Sequence, residues 1–411
     1  MQKKKVVVVG GGFAGLMFCR QLKGSDFEVI LIDKLNHHQF QPLFYQVATA
    51  SLEPSSISFP LRKIFQKQNN VQVRMETVRG ILPDEQKIKT DHGTLSYDYL
   101  VIATGCDTNY FGNEGLQRYA LPMKSTLEAI EIRNRLLLHF EQIVNATDAE
   151  KEDLYNLVIV GAGPTGVELA GALCEIKKGI LPKDYPGLAY EKIKIILVEG
   201  SAHTLNQMSE TARAESEKFL VDLGVSIRKE VFLTHYDGKV LKLNNGESIH
   251  SRLVIWAAGV KGNILEGMKP ECIERNRYLV NRYNQIEGHA NIFALGDIAL
   301  MKTPLYPNGH PQLANVAINQ GKNLAKNLRK KEVVHWLEYE YKDLGSMATI
   351  GKHKAVVDLP GFSFSGRIAW YIWMFLHLML ILSVKNKLII FINWTWKYFT
   401  NDSSQRLILK K

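Results

Sequence analysis

The 411-residue sequence predicts two α/β modules of parallel strands and covering helices, the second inserted in the first, ahead of an apolar C-terminal region. Three observations carry this. At the N-terminus VVVVGGGFAGLMFCRQL runs into EVILID and ends on Asp33. The pattern returns from residue 157, where LVIVGAGPTGVELAGAL leads on to IKIILVEG and the strand-end acid Glu199. Near the C-terminus, residues 368–384 (IAWYIWMFLHLMLILSV) form an apolar run broken by His377.

Each repeat reads as a βαβ unit: a β-branched run, a tight glycine turn, then apolar residues at helical spacing. The turns carry Gly10-x-Gly12-x-x-Gly15 and Gly161-x-Gly163-x-x-Gly166. One such motif is weak. Two copies, each between a strand and a helix and each followed by an acidic strand end, define two Rossmann-like dinucleotide-binding domains. Glycine lets the backbone approach a pyrophosphate, and the helix N-terminus favours its charge. Asp33 and Glu199 are expected to accept hydrogen bonds from ribose hydroxyls. Glu199 also repels a 2′-phosphate, which favours NADH over NADPH at the second turn.

Further strands end in small residues: YDYLVIATG (97–105), RLVIWAAG (252–259) and NIFALGD (291–297). Their order around the two turns sets the expected boundaries. Residues 1–120 and 285–330 form one domain, 121–284 the inserted one, and 331–411 a separate C-terminal region. KSTLEAIEIRNRLLLHFEQIV (124–144) reads as a long amphipathic helix bridging the two domains. Residues 177–192, which contain Pro and Gly, read as an inserted loop.

Composition narrows the rest. Hydrophobic content of 46% is that of a largely soluble globular chain, and the formal charge of +10 does not by itself select a partner. Cys19, Cys106, Cys174 and Cys272 form no CxxC pair, so a disulfide framework and a redox dithiol are excluded and each is expected to be a small buried hydrophobe. No metal site is expected. Val6–Val9 is too short for a signal peptide, which makes the cytoplasm the default location.

The set GGGFAG, Asp33, ATG, GAGPTGVELAG, Glu199 and ALGD resembles the two-dinucleotide-binding-domain flavoproteins over most of residues 5–330. NHHQFQPLFYQVATA (36–50), MKSTLEAIEIRNRLL and GKHKAVVDLPGFSFSGRIAWYIWMFLHLM extend the match over nearly the entire chain, to the type II NADH:quinone oxidoreductases. The resemblance implies non-covalent FAD at the first turn and NADH at the second. It implies two-electron oxidation of NADH and reduction of a membrane quinone (menaquinone or ubiquinone) without proton pumping. It also implies a homodimer attached peripherally to the cytoplasmic face of the plasma membrane.

Carried onto this sequence, the family's cofactor contacts fall on Gly10, Gly12, Phe13, Ala14, Gly15, Asp33, Lys34, Ala103, Thr104, Gly105, Gly296 and Asp297 for FAD. For NADH they fall on Gly161, Gly163, Gly166, Glu199, Ala258 and Gly259. Glu168 corresponds to a family carboxylate that influences electron and proton transfer. The bland reading is a helix-dipole carboxylate in the first turn. Hydride transfer needs no acid–base pair of side chains, so His37, His38, His310 and His353 are read as surface or loop residues. Where the family carries AQxAxQQG after ALGD, this chain has PQLANVAINQG. The quinone-pocket glutamines fall on Asn315 and Asn319, one methylene shorter, while Gln320 is kept. Lys352 is a further candidate beside the quinone, with Lys354 near it.

From Arg367 to Lys411 there are seven Lys/Arg and one acid, among tryptophans and tyrosines. That composition describes segments lying in a membrane interface. The charge sits in this apolar tail, so a nucleic-acid partner is not expected. Sulfide:quinone oxidoreductase is a weaker reading, since it needs cysteines beside the flavin where this chain has Gly166-Val167-Glu168. A slow-turnover redox-sensing flavoprotein is the alternative from another class.

Overall fold

The structure, a computed structural model, describes residues 3–330, 332–400, 402 and 405–409. The chain divides into two compact units. One comprises Met1–Gln39, Ser58–Asp107 and Val260–Lys342, and the other Phe40–Ile57, Thr108–Gly259 and Asp343–Lys411.

The first unit is built on a five-stranded parallel sheet in the order Ile292–Ala294, Tyr99–Ile102, Lys4–Val9, Phe27–Asp33, Val71–Met75. Lys4–Val9 is central, and its last four residues are buried, as a β-branched strand covered on both faces should be. Val7, Val9, Ile30, Ile32, Leu100 and Ile102 face one core with Tyr278 and Ile292. On the other face helix Phe13–Gln21 packs against helix Ala314–Leu328. The approach is close at Gly321, where an added Cβ would sit 2.6 Å from Ala14 O.

The second unit repeats this layout. Its parallel sheet runs Leu121–Pro122, Leu253–Trp256, Asn156–Val160, Lys194–Val198, Val225–Arg228. In both sheets the strand before the glycine turn is central, the acid-bearing strand lies to one side, and the strand ending in ATG or AAG lies to the other. A three-stranded antiparallel sheet, Ser346–Thr349, Ala355–Leu359 and Phe362–Ser365, packs on helices Pro164–Glu175 and Glu210–Leu223. Helices Arg367–Leu380 and Val384–Thr400 follow it.

The compact units divide the chain at other points than the expected boundaries. Residues 108–120 and 343–411 pack within the second unit, 260–284 and the start of the C-terminal region up to 342 within the first, and 40–57 leave the first for the second. The physical reason lies in pairing and packing that pattern does not report. Helix Phe44–Ala48 packs on helix Thr126–Asn145, which itself lies wholly inside the second unit. Residues 177–192 are not one open loop: helix Pro164–Glu175 continues through a π-turn at Ile176–Ile180 into helix Leu181–Asp184. His38, expected at the surface or in a loop, is a buried residue of strand His37–Gln39, and His310 lies in a loop, as expected, but is buried. Cys106, expected to be a buried hydrophobe, is half-buried and donates to Asp297 Oδ2 at 3.0 Å, whereas Cys19, Cys174 and Cys272 are buried.

Candidate active site

Both glycine turns are shaped by backbone contact. Gly10 has φ 109° and Gly161 φ 102°, in the left-handed region that favours glycine. A Cβ at Gly161 would lie 2.7 Å from Ala257 O, and one at Gly10 would collide with Ala103 O. Cβ atoms at Gly15 and Gly166 would collide with the carbonyls of Gly10 and Gly161, so these glycines let each helix start against its strand. Gly12 and Gly163 differ: nothing lies within 4 Å of a Cβ there. That opening over a helix N-terminus fits a dinucleotide pyrophosphate.

The two acids brace the turns in the same way. Asp33 Oδ2 accepts the Gly11 N–H at 2.5 Å and Oδ1 the Leu35 N–H at 2.7 Å. Glu199 Oε2 accepts the Ala162 N–H at 2.6 Å, and Oε1 accepts from Ser201 N and Oγ at 2.8 and 2.7 Å. Burial pushes the Asp33 pKa up, against the pull of these donors.

The remaining first-turn candidates gather in the first unit. Phe13 meets the ring of His38 edge-on at 5.0 Å, and Lys34 is exposed. Thr104 and Asn263 exchange hydrogen bonds of 2.8 and 3.1 Å, which fix the Ala103–Gly105 turn. Gly296 has φ 74° and lies against Ala14 and Ala317, where a Cβ would come within 3.3 Å of both methyl carbons. Gln320, expected at the quinone, is 1% exposed, and its Oε1 accepts the Gly296 N–H at 2.7 Å. It holds the turn before Asp297. Asn319 Nδ2 donates to Asn315 Oδ1 at 2.7 Å across one helical turn. In the second unit, Gly259 (φ 73°) follows Ala258, and Phe111 lies where its Cβ would be.

Glu168 stands in the second turn of its helix, which begins at Pro164, and not in the first, so a dipole role has little physical basis. Its helix meets the 346–354 hairpin at Gly171, where an added Cβ would collide with Gly351 N. That approach brings the Thr349 N–H to Glu168 Oε1 at 3.3 Å. Glu168 is 8% exposed, and burial raises its pKa to about 8. Thr349 and Trp373 pull the other way. The Trp373 indole N–H makes no hydrogen bond of ordinary geometry, so its influence comes from proximity.

Glu168 lines a cavity inside the second unit, with about 70 Å³ open to water-sized groups. Tyr45, Gln46, Thr349, Lys352, Trp370, Trp373, Trp394, Lys397 and Tyr398 share its wall. A hydrogen-bonded chain runs along that wall. Trp394 Nε1 donates to Gln46 Oε1 at 2.7 Å, Gln46 Nε2 to Tyr45 Oη at 2.9 Å, and Tyr45 Oη lies 3.1 Å from Thr349 Oγ1. Lys397 pairs with Glu175 at 2.8 Å. Lys352 donates to Tyr398 O at 2.7 Å and lies over the Tyr398 ring, whereas Lys354 pairs with Asp222 at 3.4 Å. His377 stacks on Trp373 at 3.9 Å, and burial lowers its pKa to about 4, so it is neutral.

Of the four residues expected at the quinone, only Lys352 lines this cavity; Asn315, Asn319 and Gln320 belong to the other unit. Tyr45, Gln46, Thr349, Glu175, Trp373, Trp394 and Lys397 escaped the sequence reading. Tyr45 and Gln46 stood inside the segment 36–50, and Ala369, Trp373 and His377 repeat every fourth residue through the apolar run, a one-sided stripe. No cysteine lines the cavity.

The pyridine nucleotide-disulphide oxidoreductase family model matches residues 4–321, and the NDH2 C-terminal domain model matches residues 344–401. The chain is 33% identical to type II NADH:quinone oxidoreductase Ndh of Mycobacterium tuberculosis, covering 99% of this chain and 90% of that one. It is 29% identical to the type II NADH:quinone oxidoreductase of Staphylococcus haemolyticus, over 89% of this chain and 92% of the other. Among solved structures, NDH2 from Plasmodium falciparum in complex with NADH superposes with a TM-score of 0.91 at 20% identity, over 99% and 100% of the two chains. Sulfide:quinone oxidoreductase from Aquifex aeolicus gives 0.74 at 21% identity, over 97% and 96%. The last two likenesses establish the fold. With the glycine turns, the strand-end acids and the family relationship together, the chain belongs to the type II NADH:quinone oxidoreductases, FAD enzymes that oxidise NADH and reduce a quinone.

Proposed function

We propose that the quinone ring is reduced in the cavity of the second unit, with Glu168 as the residue that delivers a proton. The reaction NADH + H⁺ + quinone → NAD⁺ + quinol takes one proton from solvent for each turnover. The observation that carries this reading is a carboxyl group held protonated at neutral pH by burial, in a cavity walled by aromatic rings. Flavin supplies hydride acceptance and onward electron transfer.

The residues of this chain do the rest. Gly10, Gly12 and Gly15 with Asp33 seat one dinucleotide, and Gly161, Gly163 and Gly166 with Glu199 seat NADH. Trp373, Trp370 and Trp394 give a planar ring apolar faces to lie against. Tyr45, whose hydroxyl pKa is pushed well above its ordinary value by burial, stays a neutral hydrogen-bonding group. Lys397 and Glu175 pair with one another in the same wall, and Lys352 is held on the Tyr398 carbonyl, so neither lysine counters the burial that keeps Glu168 protonated.

Membrane attachment is the second part of the proposal. No helix among the described residues is long and apolar enough to cross a bilayer. Arg367–Leu380 spans roughly 21 Å at 1.5 Å per residue, against a hydrocarbon core of about 30 Å. Its outward stripe is Ile368, Tyr371, Ile372, Phe375, Leu376 and Met379, all exposed, while Ala369 and Trp373 on the other side are buried. Val384, Leu388, Phe391, Ile392, Trp396 and Phe399 repeat the pattern on the next helix. Such faces suit a lipid surface at the cytoplasmic side of the plasma membrane, from which a lipid-soluble quinone is reached. A homodimer would compete for the same face, and the mass of the detergent-solubilised enzyme separates the two.

The deciding experiment is an anaerobic flavin spectrum before NADH, after NADH, and after a menaquinone analogue. Bleaching followed by rapid return establishes the electron path. Bleaching without return would overturn the quinone assignment, and no bleaching would overturn the NADH site.

A further inference from the structure

Helix Thr126–Asn145 buries an arginine with no acceptor. Arg133 is 2% exposed, its Nε and Nη2 atoms have no hydrogen-bond partner, and it makes no ion pair among the described residues. Burial lowers its pKa, yet a guanidinium stays charged. A charge out of water without a counter-charge is among the most destabilising features a core can hold.

The arginine lines a second cavity of the second unit, with about 10 Å³ open, room for one water-sized group. Leu136, Leu137, Phe140, Ile176, Ile180 and Leu181 form its apolar side, with two alanines beside them. Its polar groups are already engaged. Thr49 Oγ1 donates to Tyr45 O at 2.8 Å, and Tyr185 Oη donates to Glu141 at 2.8 Å. Asp184 is paired with Arg406 Nε at 2.6 Å, and Arg406 Nη1 holds Asp402 at 2.6 Å. None of these accepts from Arg133.

We propose that this cavity is a binding site for one small, weakly hydrated monovalent anion of the size of chloride or bromide, held against the Arg133 guanidinium. Size excludes phosphate and an acyl chain. The apolar wall disfavours strongly hydrated anions, and a guanidinium is itself the more weakly hydrated of the two basic head groups. The ligand binds the folded state only, so it stabilises in proportion to its occupancy.

The test uses the full-length, flavin-loaded enzyme. Thermal unfolding is followed at constant ionic strength while gluconate is replaced by chloride or bromide. The midpoint of the wild type should rise by several degrees and saturate. Arg133→Met should abolish the rise and unfold in gluconate at or above the wild-type midpoint, because it removes the uncompensated charge. An equal rise in the variant, or no saturable rise in the wild type, overturns the proposal. Should Arg133→Met not fold, wild-type crystals grown in bromide decide the matter. An anomalous peak beside Arg133 supports the site. Water there, or the density of a longer ligand, overturns it.

Discussion

Thr349 donates its backbone N–H to Oε1 of the Glu168 carboxyl group across 181 residues of sequence, at 3.3 Å. Desolvation outweighs the pull of Thr349 and Trp373, which is why Glu168 keeps its proton to about pH 8. Glu168→Gln is expected to reduce quinone-dependent turnover by 10-fold or more while moving the unfolding midpoint by no more than a few degrees. Parallel loss of activity and stability would return Glu168 to a purely structural role.

The same carboxyl makes a pH prediction. Its folded pKa lies above its ordinary value of 4.5, so its stabilising effect is complete at low pH and is lost as pH rises from about 4.5 through about 8. The slope approaches about 1.4 kcal/mol per pH unit within that window. Denaturant unfolding of the wild type between pH 5 and 8.5 should therefore lose stability more steeply than that of Glu168→Gln. Identical slopes would mean that Glu168 titrates normally.

Gly171 sets the distance between Glu168 and the hairpin that carries Thr349. Gly171→Ala places a methyl group against the Gly351 backbone. Overpacking of this kind costs about 1–3 kcal/mol. We expect a lower unfolding midpoint together with a loss of turnover at unchanged flavin content. A silent substitution would show that the hairpin adapts.

The two strand-end acids are proposed to serve different nucleotides. Asp33→Ala should lower the FAD content of the purified enzyme, read from its visible spectrum. Glu199→Ala should leave FAD in place, raise KM for NADH several-fold and narrow the preference over NADPH. An unchanged ratio of NADH to NADPH activity would remove Glu199 from cofactor choice.

Deletion of residues 366–411 is a poor test of membrane attachment, because Trp373, Trp394 and Tyr398 wall the cavity that holds Glu168. Phe375→Ser with Phe391→Ser and Phe399→Ser alters only exposed positions, at 61%, 54% and 77%. The triple variant should keep activity with a water-soluble quinone and sediment less with anionic vesicles. Undiminished sedimentation would place attachment elsewhere.

The sequence by itself determined what depends on local chain geometry. Glycines at 10, 12 and 15 and at 161, 163 and 166, each between a β-branched run and an apolar helix, specify a strand–turn–helix without reference to anything distant. Asp33 and Glu199 follow from strand length alone. The duplicated sheet order was implicit in that repetition. The C-terminal helices were partly legible: their apolar stripe was plain, but not their break at residues 381–383, nor which side faces inward.

Tertiary structure decided the rest, because burial and long-range contact have no local signature. Glu168 reads from sequence as the family's transfer carboxylate or as a first-turn dipole acid; the packing of Gly351 on Gly171 and its place past the first turn from Pro164 made it a buried acid. Gln320 looks like a ligand-facing amide, yet it spends its oxygen on the Gly296 N–H. Arg133 reads as one more cation on an amphipathic helix. Only the elements folded over it, from Thr49 to Arg406, bury it with Nε and Nη2 lacking a protein acceptor.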